Sequence, residues 1–487
     1  MSNRSRRQFL EESMLAAVAA MGAIAGSEPL HGAETEQSSS PIEKLGVAVV
    51  GVRNRGGAHI AAFTARQDTE ILWIVDVDRS IGEAKATAIG SQQGRKPKFT
   101  TDMREAFADP AVDIVSIATP NHWHALASIW AMQHGKDVYV EKPVSHNVSE
   151  GRRIVEAARK YNRICQTGTQ SRSMSGLREA MQYLHEGKLG QLTLARGLCY
   201  KPRPSIGPRG SHPVPETIDY DIWLGPAPNA PVTRSQFHYD WHWQWPYGNG
   251  DLGNQGVHQM DVARWGLGLP ALSTSVLSYG GRFGYEDAGD TPNTQVVIHD
   301  YGDKTIIFEV RGLSTKAYKG APIGVIFEGS EGYMAVAAYD AAVFDKQGEV
   351  VRQYSGGNDA AHYDNFVTSV RSRKSAELNA DILDGHISSA LCHLGNTSYR
   401  LGDQVSVDEA RLRLSSLKAS DSIAETFDRT CRHLVDNHVD TKQVKLQFGS
   451  SLRFDPVHER FIDDPAADAF LTREYRAPYI VPAQGQT

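Results

Sequence analysis

Lys142 stands between a glutamate and a proline, at the end of the otherwise apolar run of residues 138–143, VYVEKP. An ammonium held there is partly desolvated, so it can donate to a substrate hydroxyl and stabilise an alkoxide. Taken alone the tripeptide equally suits a lysine that snorkels to solvent. Pro143 steers Lys142 into an extended conformation. A second cluster of chemistry opens the chain's first apolar run: Gly51, then Arg53, Asn54 and Arg55, then Gly56-Gly57. The spacing keeps two glycines of a dinucleotide fingerprint, but Arg53 stands where a glycine would let the backbone touch a pyrophosphate. Asp76 ends the next apolar run, 25 positions after Gly51. An acid there accepts from a ribose 2′-hydroxyl and repels a 2′-phosphate, so NAD is expected over NADP, with Arg53 the one feature that would suit the phosphate.

The third cluster is FHYDWHWQWPYGNGDLGNQGVHQMDVARWGLG, residues 237–268, which holds four of the eight tryptophans together with Tyr239, His238, His242 and His258. Flat rings interleaved with polar groups suit a carbohydrate, whose CH faces stack while its hydroxyls need donors and acceptors. Tyr239, Trp241, His242 and Trp243 are the substrate candidates, and packing under a glycine-rich loop is the structural alternative. His238 and His242 are four apart but lie among turn formers and aromatics, so no metal is expected.

These residues need elements to hold them. Apolar runs at 45–50, 70–78, 112–120 and 138–143 alternate with helical patterns at 121–135 and 149–162, and RICQTGTQ supplies a further strand. Continuous apolar strands alternating with helices predict a doubly wound parallel sheet, whose ligands bind beyond the carboxyl ends of the strands. Thr119, Pro120, Asn121, His124, Glu141, Gln170 and Arg172 all fall in such strand-end segments, Glu141 and Gln170 as cofactor candidates and Arg172 as a substrate candidate. From residue 192 the pattern changes to period-two runs at 192–200, 272–281, 294–302, 304–312 and 324–339, which predict a second, α+β domain on a mainly antiparallel open sheet.

ATPNHWH, residues 118–124, and YVEKP, residues 139–143, at the ends of successive strands resemble the glucose-fructose oxidoreductase and inositol dehydrogenase (Gfo/Idh/MocA) family. The resemblance runs from about residue 45 to the C-terminus. It implies that Lys142 is essential and touches both nicotinamide and substrate, that the Lys142–Pro143 bond is cis, and that Thr119, Pro120, Asn121 and His124 line the cofactor. It also implies a large sheet with helices on one face and the other often used to make a dimer, hence a homo-oligomer. The family's D-x-x-x-H arrangement places the acid/base histidine at His258, but its acid position is Asn254 here. An amide holds a sugar hydroxyl but does not stabilise an imidazolium as a carboxylate does, and Asp251 and Asp261 are nearby substitutes in sequence. The implied activity is NAD-dependent oxidation of a sugar, polyol or sugar derivative. Glycoside cleavage through transient oxidation, sugar-to-sugar transfer and carbohydrate binding without catalysis are the alternatives.

The first residues belong to transport. Arg6 and Arg7 in SRRQFL precede a weakly apolar stretch of 13 residues, Met14 to Gly26, which predicts a twin-arginine signal over residues 1–33 and a linker over 34–43. The export machinery is then a transient partner, the destination is the periplasm or beyond, and a dinucleotide loaded before export is expected to stay bound. The remaining chain divides into a cofactor domain, 44–165, a substrate and oligomerisation domain, 166–400, and a helical elaboration with a wrapping tail, 401–487. A formal charge of -6 with 22% charged residues gives no general attraction for nucleic acid. Four widely spaced cysteines predict mostly buried thiols, one disulfide remaining open.

Overall fold

In the first unit of the computed structural model, β1 (Leu45–Val50), α1 (Arg55–Thr64), β2 (Thr69–Val75), α2 (Arg79–Gln93), β3 (Lys98–Thr100), α3 (Met103–Ala108), β4 (Ile114–Ile117), α4 (Asn121–Gln133), β5 (Asp137–Val140), α5 (Val148–Lys160) and β6 (Cys165–Thr167) follow one another. The structure describes residues 44–417 and 420–487, so the expected twin-arginine segment and linker lie outside the described residues. The six strands are parallel in the order β3-β2-β1-β4-β5-β6. The order reverses between β1 and β4, which opens a crevice at their carboxyl ends. Three expected strands stop three residues short, at Val75, Ile117 and Val140. The polar residues that followed them in the pattern are therefore free to face the crevice. β3 was not anticipated; three residues are too few to show a period.

The second unit is a 12-stranded sheet. α6 (Ser175–His185) leads into β7 (Leu192–Tyr200), and α7 (Gly256–Gly266) precedes β8 (Ser275–Gly281), β9 (Thr294–Asp300), β10 (Thr305–Arg311), β11 (Ile323–Gly329), β12 (Gly332–Ala337), β13 (Asp340–Phe344) and β14 (Val350–Tyr354). Pairing is antiparallel except between β7 and β10. The run at 324–339 is not one strand but a hairpin, turning at Ser330-Glu331 before Gly332, whose φ of 142 no side chain tolerates well.

The two units share their cores. α8 (Asp359–Ser372) lays Tyr363, Phe366, Val367 and Val370 against Val47, Val49 and Ile71, closing one face of the parallel sheet from the far half of the chain. α9 (Ile382–Arg400) packs along α5 and α7, and Tyr479 and Val481 of the tail join the core on the opposite face. The segment expected as a helical elaboration also carries strands: β15 (Asp403–Ser406) and β16 (Lys445–Phe448) extend the large sheet beyond β8.

The outer face of the large sheet is partly covered. α10 (Val407–Leu414) and α11 (Ser420–Asp436) set Leu414, Ile423, Phe427 and Leu434 on Leu277, Tyr279, Val296 and Ile298. Arg429 adds a bidentate pair to the buried Glu309 at 2.6 and 2.7 Å. The part of the sheet face from which self-association was expected is thus covered by the chain's own helices. All four cysteines are free thiols.

Candidate active site

The glycine loop is shaped by contact. Gly51 has φ 77, and a Cβ there would lie 2.7 Å from the Ala118 carbonyl oxygen; one on Gly56 would lie 1.9 Å from the Gly51 carbonyl oxygen. The turn is pressed onto both β4 and α1, leaving Arg53 and Asn54 exposed on its outer edge. Asp76 ties β2 to this turn, accepting the backbone N–H of Val52 and of Asp78, each at 2.9 Å. Burial raises its carboxyl above the ordinary range against those two bonds. Across the crevice, the Thr119 hydroxyl is buried without a partner. Pro120 caps α4, and the Asn121 amide donates to Asn249 Oδ1 at 3.0 Å. His124 bonds the carbonyls of Pro143 (2.6 Å) and Thr119 (2.8 Å), bracing one strand-end loop against the next.

Lys142 follows β5, and its bond to Pro143 is cis. Nζ donates to the Asn254 carbonyl at 2.7 Å. Burial brings its pKa down to about 8, with Glu141 opposing and Arg55, Lys201 and Arg203 assisting. Behind it Glu141 is 4% exposed and accepts from Arg55 Nε at 2.8 Å, while His59 Nε2 lies at 3.1 Å. Burial raises this carboxyl, but Arg55 and His59 outweigh it and hold it well below the carboxylate range. Ser116 meets the other nitrogen of His59 at 2.8 Å. Gln170 is also here, bonded to the Tyr139 hydroxyl at 3.0 Å and Glu141 at 3.4 Å. It supports the glutamate from behind and does not line the cavity, which corrects its expected cofactor contact. His59 escaped the sequence reading; its signal is a histidine four residues after Arg55 on a helix face that is otherwise apolar or glycine.

A cavity of ≈ 280 Å³ runs from Gly51 and Asp76, past Thr119, to Lys142 and the aromatic segment. Tyr239, Trp241 and His242 line it, the His242 ring stacked on Trp241 at 3.6 Å between centroids. Burial lowers the His242 pKa to about 3. Trp243 points elsewhere: it packs with Ile206 and Ala288 beneath the Arg203 guanidinium, 4.8 Å from its ring, so its expected substrate contact is replaced by a core role. Arg172 likewise forks onto Asp261 at 2.8 and 2.9 Å and does not reach the cavity.

Asn254 lines the cavity beside the lysine it holds. His258, one turn further, lies outside the cavity wall, and no hydrogen bond joins it to Asn254. Burial, then the Lys142 charge, lowers its pKa to about 3. Neither nearby acid replaces the missing carboxylate: Asp251 is held by Arg203 at 2.7 and 3.0 Å, and Asp261 by Arg172. A bridge the sequence did not show joins His238 to Asp78 at 3.0 Å, tying the aromatic segment to the end of β2. Among the described residues no group of His, Cys, Asp and Glu is arranged to hold a metal.

Residues 45–169 match a profile described as "Oxidoreductase family, NAD-binding Rossmann fold", and residues 208–434 one described as "Oxidoreductase family, C-terminal alpha/beta domain". The chain belongs to this Gfo/Idh/MocA oxidoreductase family. It is 27% identical over 244 residues to levoglucosan dehydrogenase of Pseudarthrobacter phenanthrenivorans, covering 49% of this chain and 55% of that one. It is 30% identical over 179 residues to alpha-N-acetylgalactosaminidase of Shewanella oneidensis, covering 34% and 39%. The chain therefore spans little more than half, or less, of these relatives' lengths. A solved levoglucosan dehydrogenase in complex with NADH and levoglucosan has the same fold, with TM-score 0.56 and 19% identity over 72% of this chain and 96% of that one.

NAD is the cofactor of the family's Rossmann unit, and the residues here fit it. The two glycines let the turn pack closely on the end of β4 and the start of α1, the unpartnered Thr119 hydroxyl waits on a polar group, and Asp76 lines the cavity at the end of β2, where an acid suits a ribose hydroxyl. Arg53 and Asn54 line the same cavity beside the glycine turn.

Proposed function

We propose that the protein is an NAD-dependent oxidoreductase of a sugar, polyol or sugar derivative, with Lys142 as the group that takes the hydroxyl proton. The observation that carries this is the position of Lys142, at the meeting point of the glycine-loop cavity and the Tyr239–His242 wall, with a pKa near 8. NAD, when bound, supplies the hydride acceptor. The Asn254 carbonyl holds one side of the Lys142 nitrogen, which directs its remaining valences into the cavity. A base is most effective with a pKa near the operating pH, so Lys142 is better matched than His258, whose pKa is about 3. In this reading Lys142 takes the acid/base role that the resemblance gives to His258. The aromatic faces of Trp241 and Tyr239 stack on the sugar and exclude water from the reacting hydroxyl.

Arg6 and Arg7 ahead of the short apolar stretch support export by the twin-arginine route, with NAD retained through the catalytic cycle. Protein purified without added nucleotide and then denatured is expected to release NAD at close to one per chain, identified by mass. Incubation with a panel of sugars and polyols should then reduce that nucleotide. Release of NADP, or no reduction by any member of the panel, would overturn the proposal.

The likeness to an alpha-N-acetylgalactosaminidase supports a second reading, in which transient oxidation permits loss of a glycosidic group without net redox change. Release of an aryl group from aryl glycosides with no added cofactor, with solvent deuterium entering beside the oxidised carbon, would select it.

A further inference from the structure

A second cavity, of ≈ 350 Å³, lies where α9, the loop after Pro143 and the tail at residues 469–473 meet. None of its lining residues lines the catalytic cavity, and its tail wall falls outside both family profiles. The two are separated by Asn249, which faces this cavity and bonds His146 on one side and Asn121 on the other.

The polar inventory is unbalanced. Arg400, exposed at the cavity mouth, makes no hydrogen bond within the chain, and its guanidinium lies over the rings of Trp245 and Phe470, at 5.0 and 4.6 Å from their centroids. Arg473 uses Nη1 for His146 and the Pro246 carbonyl, both at 3.1 Å, leaving its other two nitrogens unpartnered. His393, 5% exposed, keeps Nδ1 buried without a partner. No aspartate or glutamate lines the space. The nearest acids are engaged elsewhere: Glu150 accepts from His146 N and the Asn147 amide, and Asp290 accepts from Trp245 N. Burial raises Glu150 to about 7, so it only partly offsets Arg473.

We propose that this cavity is a second ligand site, for a sugar acid of monosaccharide size. Asp290 and Glu150 act on Arg400 and Arg473 only through space, neither guanidinium has a carboxylate in hydrogen-bond reach, and a planar carboxylate matches the fork that each presents. His393 Nδ1, buried without a partner, suits a sugar hydroxyl. Room for a monosaccharide, two cationic side chains and a buried ring nitrogen without a partner distinguish the site from a water-filled seam under the tail. The site is independent of the catalytic assignment.

Calorimetry on the full chain carrying its nucleotide, with D-glucuronate as the probe, tests this. One binding event is expected, retained in Lys142→Met, which alters only the catalytic cavity. Arg400→Gln should weaken it by about tenfold or more, the worth of one charged hydrogen bond. Thr472→Trp, an exposed position that fills the cavity mouth, should weaken it similarly if Arg400→Gln disturbs folding. D-glucose and inorganic phosphate should each bind at least about tenfold more weakly than glucuronate. No binding heat, binding lost in Lys142→Met but kept in Arg400→Gln and Thr472→Trp, or phosphate binding as tightly as glucuronate would overturn the proposal.

Discussion

Lys142 trades stability for reactivity, and the trade can be measured. Its folded pKa is about 8 against the ordinary 10.5. Below about pH 8 the lysine is charged in both folded and unfolded chains, so the folded state carries the full desolvation cost. Between 8 and 10.5 the folded lysine is neutral while the unfolded one is still charged, and the cost disappears. Lys142→Met should therefore stabilise the fold by about 2 kcal/mol at pH 7, discounted for solvent at the cavity, with the gain vanishing toward pH 10.5. Denaturant unfolding across pH checks this, and turnover should fall on the order of a thousandfold. In the parent, kcat/KM for oxidation should rise with pH and level off above about 8, because the neutral amine is the active form. Glu141 is the charge that raises the Lys142 pKa, so Glu141→Gln should move that inflection downward. It should also cost about 3 kcal/mol, since Arg55 and His59 lose a buried partner.

At the scale of elements, α8 is the piece on which the cofactor unit depends. Phe366 is fully buried against β1 and β2, and Phe366→Ala should cost about 3–5 kcal/mol and loosen nucleotide binding, read by unfolding and by nucleotide retention. A fragment ending at residue 169 should accordingly lack a cooperative transition. The sequence showed β1, β2, β4 and β5 because strands buried on both faces read as apolar runs, and it showed Lys142, Asp76 and the glycines because they end those runs. It did not show that α8 belongs to the first core, since an amphipathic helix does not by its own sequence say which sheet its apolar face meets. Trp243 and Arg172 were misplaced for a related reason. Residue type marks them as able to bind a sugar, whereas the partners that absorb them, Arg203 and Asp261, are brought near only by the fold.

The whole molecule is a pair of sheets whose cores are completed by segments from elsewhere in the chain. The large sheet hides much of its outer face beneath α10 and α11, so Phe427→Asp should uncover Tyr279 and its neighbours and drive association, seen as a rise in mass by light scattering. Leu412→Asp, at a position 74% exposed, should leave the mass unchanged. The borrowing also sets an order of events during synthesis. Residues 359–372 leave the ribosome long after β1 and β2, and Tyr479 and Val481, which join the core around Trp123, the Tyr479 ring meeting Trp123 edge-on, later still. The nascent parallel sheet must wait with one face bare, a natural client for a chaperone, and its nucleotide pocket matures only once residues 479–481 have been made.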